Sequence, residues 1–93
     1  MKVILVYDIE LKEPKDQKRL NWAKKIVRKY LHHVQKSVFE GDITLSQLAR
    51  LQSEILRVID SERDSVLIYK MPEAVRWERM ILTKKEPPTG NII

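Results

Sequence analysis

Val3-Ile4-Leu5-Val6-Tyr7-Asp8 is the stretch that decides the fold of this chain. It is a run of β-branched and other apolar residues that stops at an acid. Side chains alternate along a strand, so Val3, Leu5 and Tyr7 share one face while Ile4, Val6 and Asp8 share the other. Both faces stay apolar until Asp8. That pattern predicts a central strand covered on both sides and ended by a carboxylate.

Beyond this strand the period changes. From about Pro14 to Leu31, helical spacing places Leu20, Ala23, Ile26, Val27, Tyr30 and Leu31 on one stripe. Pro14 suits the first turn, and Asp16 complements the helix dipole. Residues 34–41 read as extended structure, either one bent strand or two short strands meeting near Ser37. Gly41-Asp42 breaks it. Thr44 with Gln47 forms a capping box that opens a second amphipathic helix, carried by Leu45, Leu48, Leu51, Ile55, Val58 and Ile59. Asp60, Glu62 and Asp64 mark the following loop. Ser65 to Met71 is a strongly apolar strand stopped by Pro72. Trp77 to Leu82 alternates as one more strand. Pro87-Pro88-Thr89-Gly90 excludes regular structure, and Asn91-Ile92-Ile93 either frays or adds to a sheet edge, that of a partner subunit included.

These elements predict an α+β sandwich with two helices on one face of an antiparallel sheet. If residues 34–43 supply two strands, the order is βαββαβ with an extra C-terminal strand, a ferredoxin-like plan. Residues 1–83 form the domain and residues 84–93 a C-terminal segment expected to pack on the partner.

The chain's 93 residues, 43% apolar and 33% charged, suffice for one domain with a small core, which pairing would stabilise. Without cysteine there is neither a disulfide framework nor a thiolate zinc site. The apolar opening is too short for a signal peptide or a membrane span, so a cytoplasmic protein without membrane partners is expected. Net charge is +5, unevenly spread. Residues 12–36 hold nine cations (Lys12, Lys15, Lys18, Arg19, Lys24, Lys25, Arg28, Lys29 and Lys36) against Glu13 and Asp16, a local +7 that leaves −2 for the rest. Such a concentration is the footprint of a phosphate-backbone binder, with a solvated helix face as the plainer reading. The histidines His32 and His33 are adjacent, so on a strand they point to opposite faces and do not share a metal. With two glycines there is no Gly-rich phosphate loop.

Three motifs in order, Val6-Tyr7-Asp8-Ile9, residues 34–41 (Val-Gln-Lys-Ser-Val-Phe-Glu-Gly) and Ser65-Val66-Leu67-Ile68-Tyr69, resemble those of the CRISPR-associated protein two family. The likeness spans nearly the whole chain, spacing and length included. It implies a ferredoxin-like fold and a two-fold homodimer whose C-terminal strand packs on the partner's sheet. It also implies a role in spacer acquisition, bridging the integrase subunits along incoming double-stranded DNA. Some members are metal-dependent endonucleases acting on single-stranded RNA or duplex DNA. By the same resemblance Asp8 is the catalytic and metal-binding aspartate. Arg19 and Arg28 match basic positions of the family, and Ser37 and Phe39 match a motif near its active site. His33 departs from the pattern, where Arg or Lys is common, which puts a binding role for that position in doubt.

The residues themselves set limits on that chemistry. Magnesium takes one or two carboxylates and completes its shell with water, so a lone Asp8 falls short. A two-fold axis near Asp8 would let one Mg²⁺ ion be shared between two subunits, lowering the pKa of a water and neutralising charge on a phosphate. The plainer alternative is that Asp8 only caps the turn after the strand. Arg19 and Arg28 fall on different sides of an ideal helix, whereas Lys18, Lys25 and Lys29 fall together and could track a backbone. Phe39, Trp22 and Trp77 could stack on bases, but core packing is the expectation for each. Two functions are therefore expected: a nucleic-acid-binding scaffold of spacer acquisition, or a stand-alone metal-dependent endoribonuclease.

Overall fold

The computed structural model describes residues 1–85. The elements are β1 (Lys2–Asp8), α1 (Pro14–Arg28), β2 (His32–Gln35), β3 (Val38–Asp42), α2 (Leu45–Ile55) and β4 (Ser65–Met71). The four strands form one sheet in the order β2-β3-β1-β4, with every neighbouring pair antiparallel. This is the ferredoxin-like βαββαβ arrangement, with β1 inside the sheet.

Register sorts the side chains. Leu5 lies opposite Phe39 on one side and Ile68 on the other, and Ile4 lies between Glu40 and Tyr69. Val3, Leu5, Tyr7 and Phe39 are buried on the inner face. They meet Ala23, Ile26 and Val27 of α1 and Leu48, Leu51 and Ile55 of α2 in one cluster. Burying a side chain such as Phe39 or Leu5 contributes about 1.5–3 kcal/mol. Both helices therefore cover the same face of the sheet.

The segment with two readings resolves into two strands, β2 and β3, with a register shift between His33 and Gln35. Thr44 caps α2 as its sequence predicts, accepting from the Gln47 backbone at 3.1 Å while the Gln47 amide oxygen takes the Thr44 N–H at 2.8 Å. Both helices end earlier than the periodicity suggests. The chain turns after Arg28 so that Leu31 can drop into the core, and Val58 and Ile59 follow α2 in single turns while still packing on the core.

Two expectations are corrected. The sheet's outer face is only partly covered: Ile4 and Val6 are half-buried, and Leu67 and Tyr69 remain 50% and 55% exposed. Apolarity on both faces of β1 thus reports a strand inside a sheet, without a second layer of helices above it. Residues 77–82 form no strand. Trp77 and Arg79 are half-buried and Glu78 and Met80 exposed, so the alternation is real. It arises because the segment lies across the outer face by side-chain contacts, with the Lys2 ammonium 5.4 Å from the Trp77 ring centre and Arg79 ion-paired with Glu40. Backbone pairing, which a strand also needs, is absent from it among the described residues. The expected strand near Ile92-Ile93 and all but the first two residues of the segment 84–93, expected to pack on a partner, lie outside the described residues.

Candidate nucleic-acid interface and the Asp8 carboxylate

The nine cations of residues 12–36 separate into two groups once the helix is folded. An α-helix turns about 100° per residue, so Lys18, Lys25 and Arg28 lie on the surface opposite to Ala23, Ile26 and Val27. Lys18, Lys25 and Arg28 are exposed, and none has an ion-pair partner among the described residues. Lys24, half-buried, and Lys36, exposed, are likewise without one.

The other cations are engaged. Lys12 pairs with Glu10 at 3.0 Å and Lys15 with Glu13 at 3.2 Å. Lys29 holds Glu54 at 2.6 Å, and the Tyr30 hydroxyl donates to the same carboxylate at 2.6 Å. Those two donors keep the Glu54 carboxyl below its usual range.

Arg19 is the most fully committed. Its Nε donates to Asp16 at 3.1 Å and its fork is ion-paired with Asp64. Asp16 in turn accepts the backbone N–H groups of Lys12 and Glu13 at 2.9 Å each, together with Arg63 at 2.7 Å. Asp64 accepts the N–H of Glu10 at 3.0 Å and of Asp60 at 2.7 Å. The side chains of Asp16 and Asp64 have no solvent exposure. The backbone donor at Glu13, then Arg63, hold the Asp16 carboxyl far below the ordinary carboxylate range. Burial pushes Asp64 upward, but Arg19 and the two N–H groups outweigh it and the net shift is down. This network ties the loop after β1 to the start of α1 and to the loop before β4. Arg19, matched by resemblance to a nucleic-acid-binding position, is thereby a structural cation, its N–H groups directed at Asp16, Asp64 and the Glu10 carbonyl.

Asp8 ends β1 on the outer face, opposite Ser65 of β4. It is exposed, and no hydrogen bond or ion pair engages its carboxylate among the described residues. The turn-capping alternative therefore has no hydrogen bond to support it. Ser37 is brought close through the backbone, its carbonyl accepting the Tyr7 N–H at 3.1 Å. Phe39 points to the inner face, fully buried, 5.6 Å from the Tyr7 ring and stacked 4.5 Å from His33. It is a core residue, as expected, and no base can reach it. Trp22 reverses its expectation: it is 57% exposed, on the basic side of α1, with Lys25 Nζ 5.4 Å from its ring centre. His32 and His33 do point to opposite faces, paired in register with Glu40 and Phe39.

Among the described residues, no three His, Asp or Glu side chains are grouped so as to hold a metal. An open carboxylate is a ligand type that magnesium accepts, one or two beside water, so the chemistry of Asp8 would suit that ion. Asp8 and the Lys18–Lys25–Arg28 stripe also lie on opposite sides of the sheet, because α1 covers the inner face. No described helix is long and apolar enough to cross a membrane.

A small ferredoxin-like protein with a cationic helix surface and an open strand-end aspartate is the class these features define. The chain belongs to the family described as CRISPR associated protein Cas2, whose model matches residues 1–79. A relative in Moorella thermoacetica named CRISPR-associated endoribonuclease Cas2 2 is 44% identical over 91 residues, covering 98% of this chain and all of that protein. One in Methanocaldococcus jannaschii, CRISPR-associated endoribonuclease Cas2, is 41% identical over 93 residues, covering all of this chain and 76% of that one. The crystal structure of Streptococcus pyogenes Cas2 at pH 6.5 superposes with a TM-score of 0.71 at 30% identity, covering 80% of this chain and 89% of that one.

Proposed function

We propose that this chain works in the cytoplasm as a homodimeric, nucleic-acid-binding subunit of CRISPR spacer acquisition, bridging integrase subunits along double-stranded DNA. The observation that carries the reading is the division of cations on α1. Lys18, Lys25 and Arg28 are exposed and without ion-pair partners among the described residues, so they can contact phosphates without reading bases. Pairing of two chains is supported by the partly apolar outer face, where Leu67 and Tyr69 are half-exposed. Asp8 lies on that same face.

Metal-dependent cleavage of RNA or DNA is the second reading. Its support is the open Asp8 carboxylate, together with the endoribonuclease names of the relatives. Two Asp8 side chains near a two-fold axis would hold one Mg²⁺ ion between them, with water filling its shell. The ion would supply electrostatic stabilisation of a phosphate and a more acidic water. Because the free basic stripe lies across the sheet from Asp8, a strand held by the stripe of one protomer does not run past that protomer's own carboxylate. This separation favours binding as the main role and cleavage as a secondary one.

The deciding comparison sets the unaltered protein beside Asp8→Asn in three assays: duplex binding, nucleic-acid cleavage with Mg²⁺, and spacer integration with the integrase partner. Loss of cleavage with integration retained supports the scaffold. Loss of integration with dimerisation and binding intact overturns it.

A further inference from the structure

Trp22 belongs neither to the buried core nor to the side chains packed against it. The inner stripe of α1 is filled by Leu20, Ala23, Ile26 and Val27, and the indole stands beside that stripe, on the flank between Lys18 and Ile26, 57% exposed. Lys18 precedes it by one turn and Lys25 follows by one, which brackets the ring between two free cations about 10 Å apart along the axis. Arg28 lies one turn beyond Lys25 on the exposed side, about 120° around the axis from Trp22. Lys25 lies over one face of the ring, with Nζ 5.4 Å from its centre, and the 57% exposure of Trp22 leaves the indole open to a further planar partner.

We propose that Trp22 is a stacking platform for an unpaired base, and that the outer surface of α1 is a binding site for single-stranded nucleic acid, with Lys18, Lys25 and Arg28 on the flanking phosphates. Aromatic side chains set among backbone-tracking cations bind single strands because every base has a π face, whereas in a duplex those faces are already stacked. The proposal deepens the nucleic-acid-binding reading and rests on it: single-stranded ends or tails join the substrate class of the same surface. Phe39, buried beneath the helices, cannot perform this task. Trp77 is half-buried on the opposite side of the sheet against Lys2 and does not belong to the surface.

The test uses the full chain and two labelled single strands of equal length, one with bases and one with a run of abasic sites. The unaltered protein should prefer the base-bearing strand by about tenfold or more, the size expected of one good stacking contact. In Trp22→Ala that preference should collapse to less than about twofold, and in Trp22→Phe most of it should return. In a Trp77→Phe background, fluorescence from Trp22 should be quenched by the base-bearing strand and not by the abasic one. A preference that survives Trp22→Ala overturns the stacking proposal. A Lys18→Gln/Lys25→Gln/Arg28→Gln variant separates this failure from a deeper one. If the salt dependence of its binding matches that of the unaltered chain, the basic surface itself is misassigned and the stacking proposal falls with it.

Discussion

Arg19 and Arg28 sit on the same helix and look interchangeable in sequence, yet opposite consequences should follow from replacing them with Gln. Arg28 is exposed and has no ion-pair partner among the described residues. Removing it should leave stability within about 0.5 kcal/mol of the original. Nucleic-acid binding should weaken, with the slope of log affinity against log salt falling by about 0.9 for each phosphate no longer neutralised. Between 50 and 200 mM salt, one neutralised phosphate corresponds to about a 3.5-fold change in affinity. Arg19 is the reverse case. Its removal strips the cation from Asp64, whose side chain is 0% exposed. Breaking a buried pair from one side costs about 3–5 kcal/mol. Arg19 itself retains 20% exposure, so water screens part of the pair and about 2–4 kcal/mol is the reasonable range. In a domain of this size each kcal/mol moves Tm by about 4–8 °C, giving a fall of roughly 8–32 °C. Thermal melts at matched protomer concentration, beside a salt titration of binding, measure both quantities. A melt unchanged in Arg19→Gln, with a salt slope reduced as in Arg28→Gln, would refute the assignment of Arg19 to the fold.

The Asp16–Arg63–Arg19–Asp64 network should also impose an acid limit. Both carboxyls titrate lower when folded than when unfolded, so the unfolded chain takes up more protons as pH drops. Their contribution is complete above the unfolded carboxylate range near pH 4 and is lost progressively below it. Denaturant titrations from pH 6 to 2.5 should show a shallower decline for Asp16→Asn than for the unaltered chain, from a lower start; parallel curves would contradict this. Phe39→Ala should cost about 3–5 kcal/mol in chemical denaturation, since the ring is fully buried between β1 and the helices. Its folded fraction should keep the original salt slope of binding. Gly41→Ala would bring a methyl to 3.2 Å from Leu31 Cδ2 and should lower Tm by a few degrees, while Gly41→Val should lower it further. Asp8→Asn should melt as the unaltered chain does, because its carboxylate has no partner among the described residues; a large loss of stability would mean that Asp8 serves the fold.

Periodicity makes β1, β4 and both helices legible because a single buried stripe or alternation suffices to define them. It misleads wherever burial comes from something other than the expected neighbour. Residues 77–82 alternate because Trp77 and Arg79 touch the outer face, and alternation alone cannot tell contact from backbone pairing. Residue type places Trp22 inside, because tryptophan usually is, although its place on the helix argues otherwise: it lies four positions from Lys18 and three from Lys25, away from Ala23 and Val27. The Arg19–Asp64 contact joins residues far apart in sequence and has no local signature. A weaker clue does exist, since Asp16 and Arg19 are spaced for the same helix turn and Asp64 closes an acidic loop just before β4.

The position of Asp8 gains its meaning from these same contacts. The network at Asp16 and Asp64 fixes the loop that leaves β1, holding it by the backbone N–H groups of Glu10, Lys12 and Glu13. The antiparallel partner β4 fixes the strand end itself, through the Asp8–Ser65 register. A carboxylate anchored from both sides yet left open is preorganised without being used by the fold. Among the described residues of one protomer, no group of three ligating side chains stands with Asp8. On the proposed Mg²⁺ reading, a second copy would supply the second carboxylate. The partly apolar outer face gives an independent reason for pairing, and it is the face to which Asp8 belongs. A chain that bound nucleic acid only through α1 would need neither feature. Dimerisation through the outer face would leave both α1 surfaces turned outward, one on each side of the pair, so that two strands or two stretches of one duplex could be held at once while the paired carboxylates stay between the sheets.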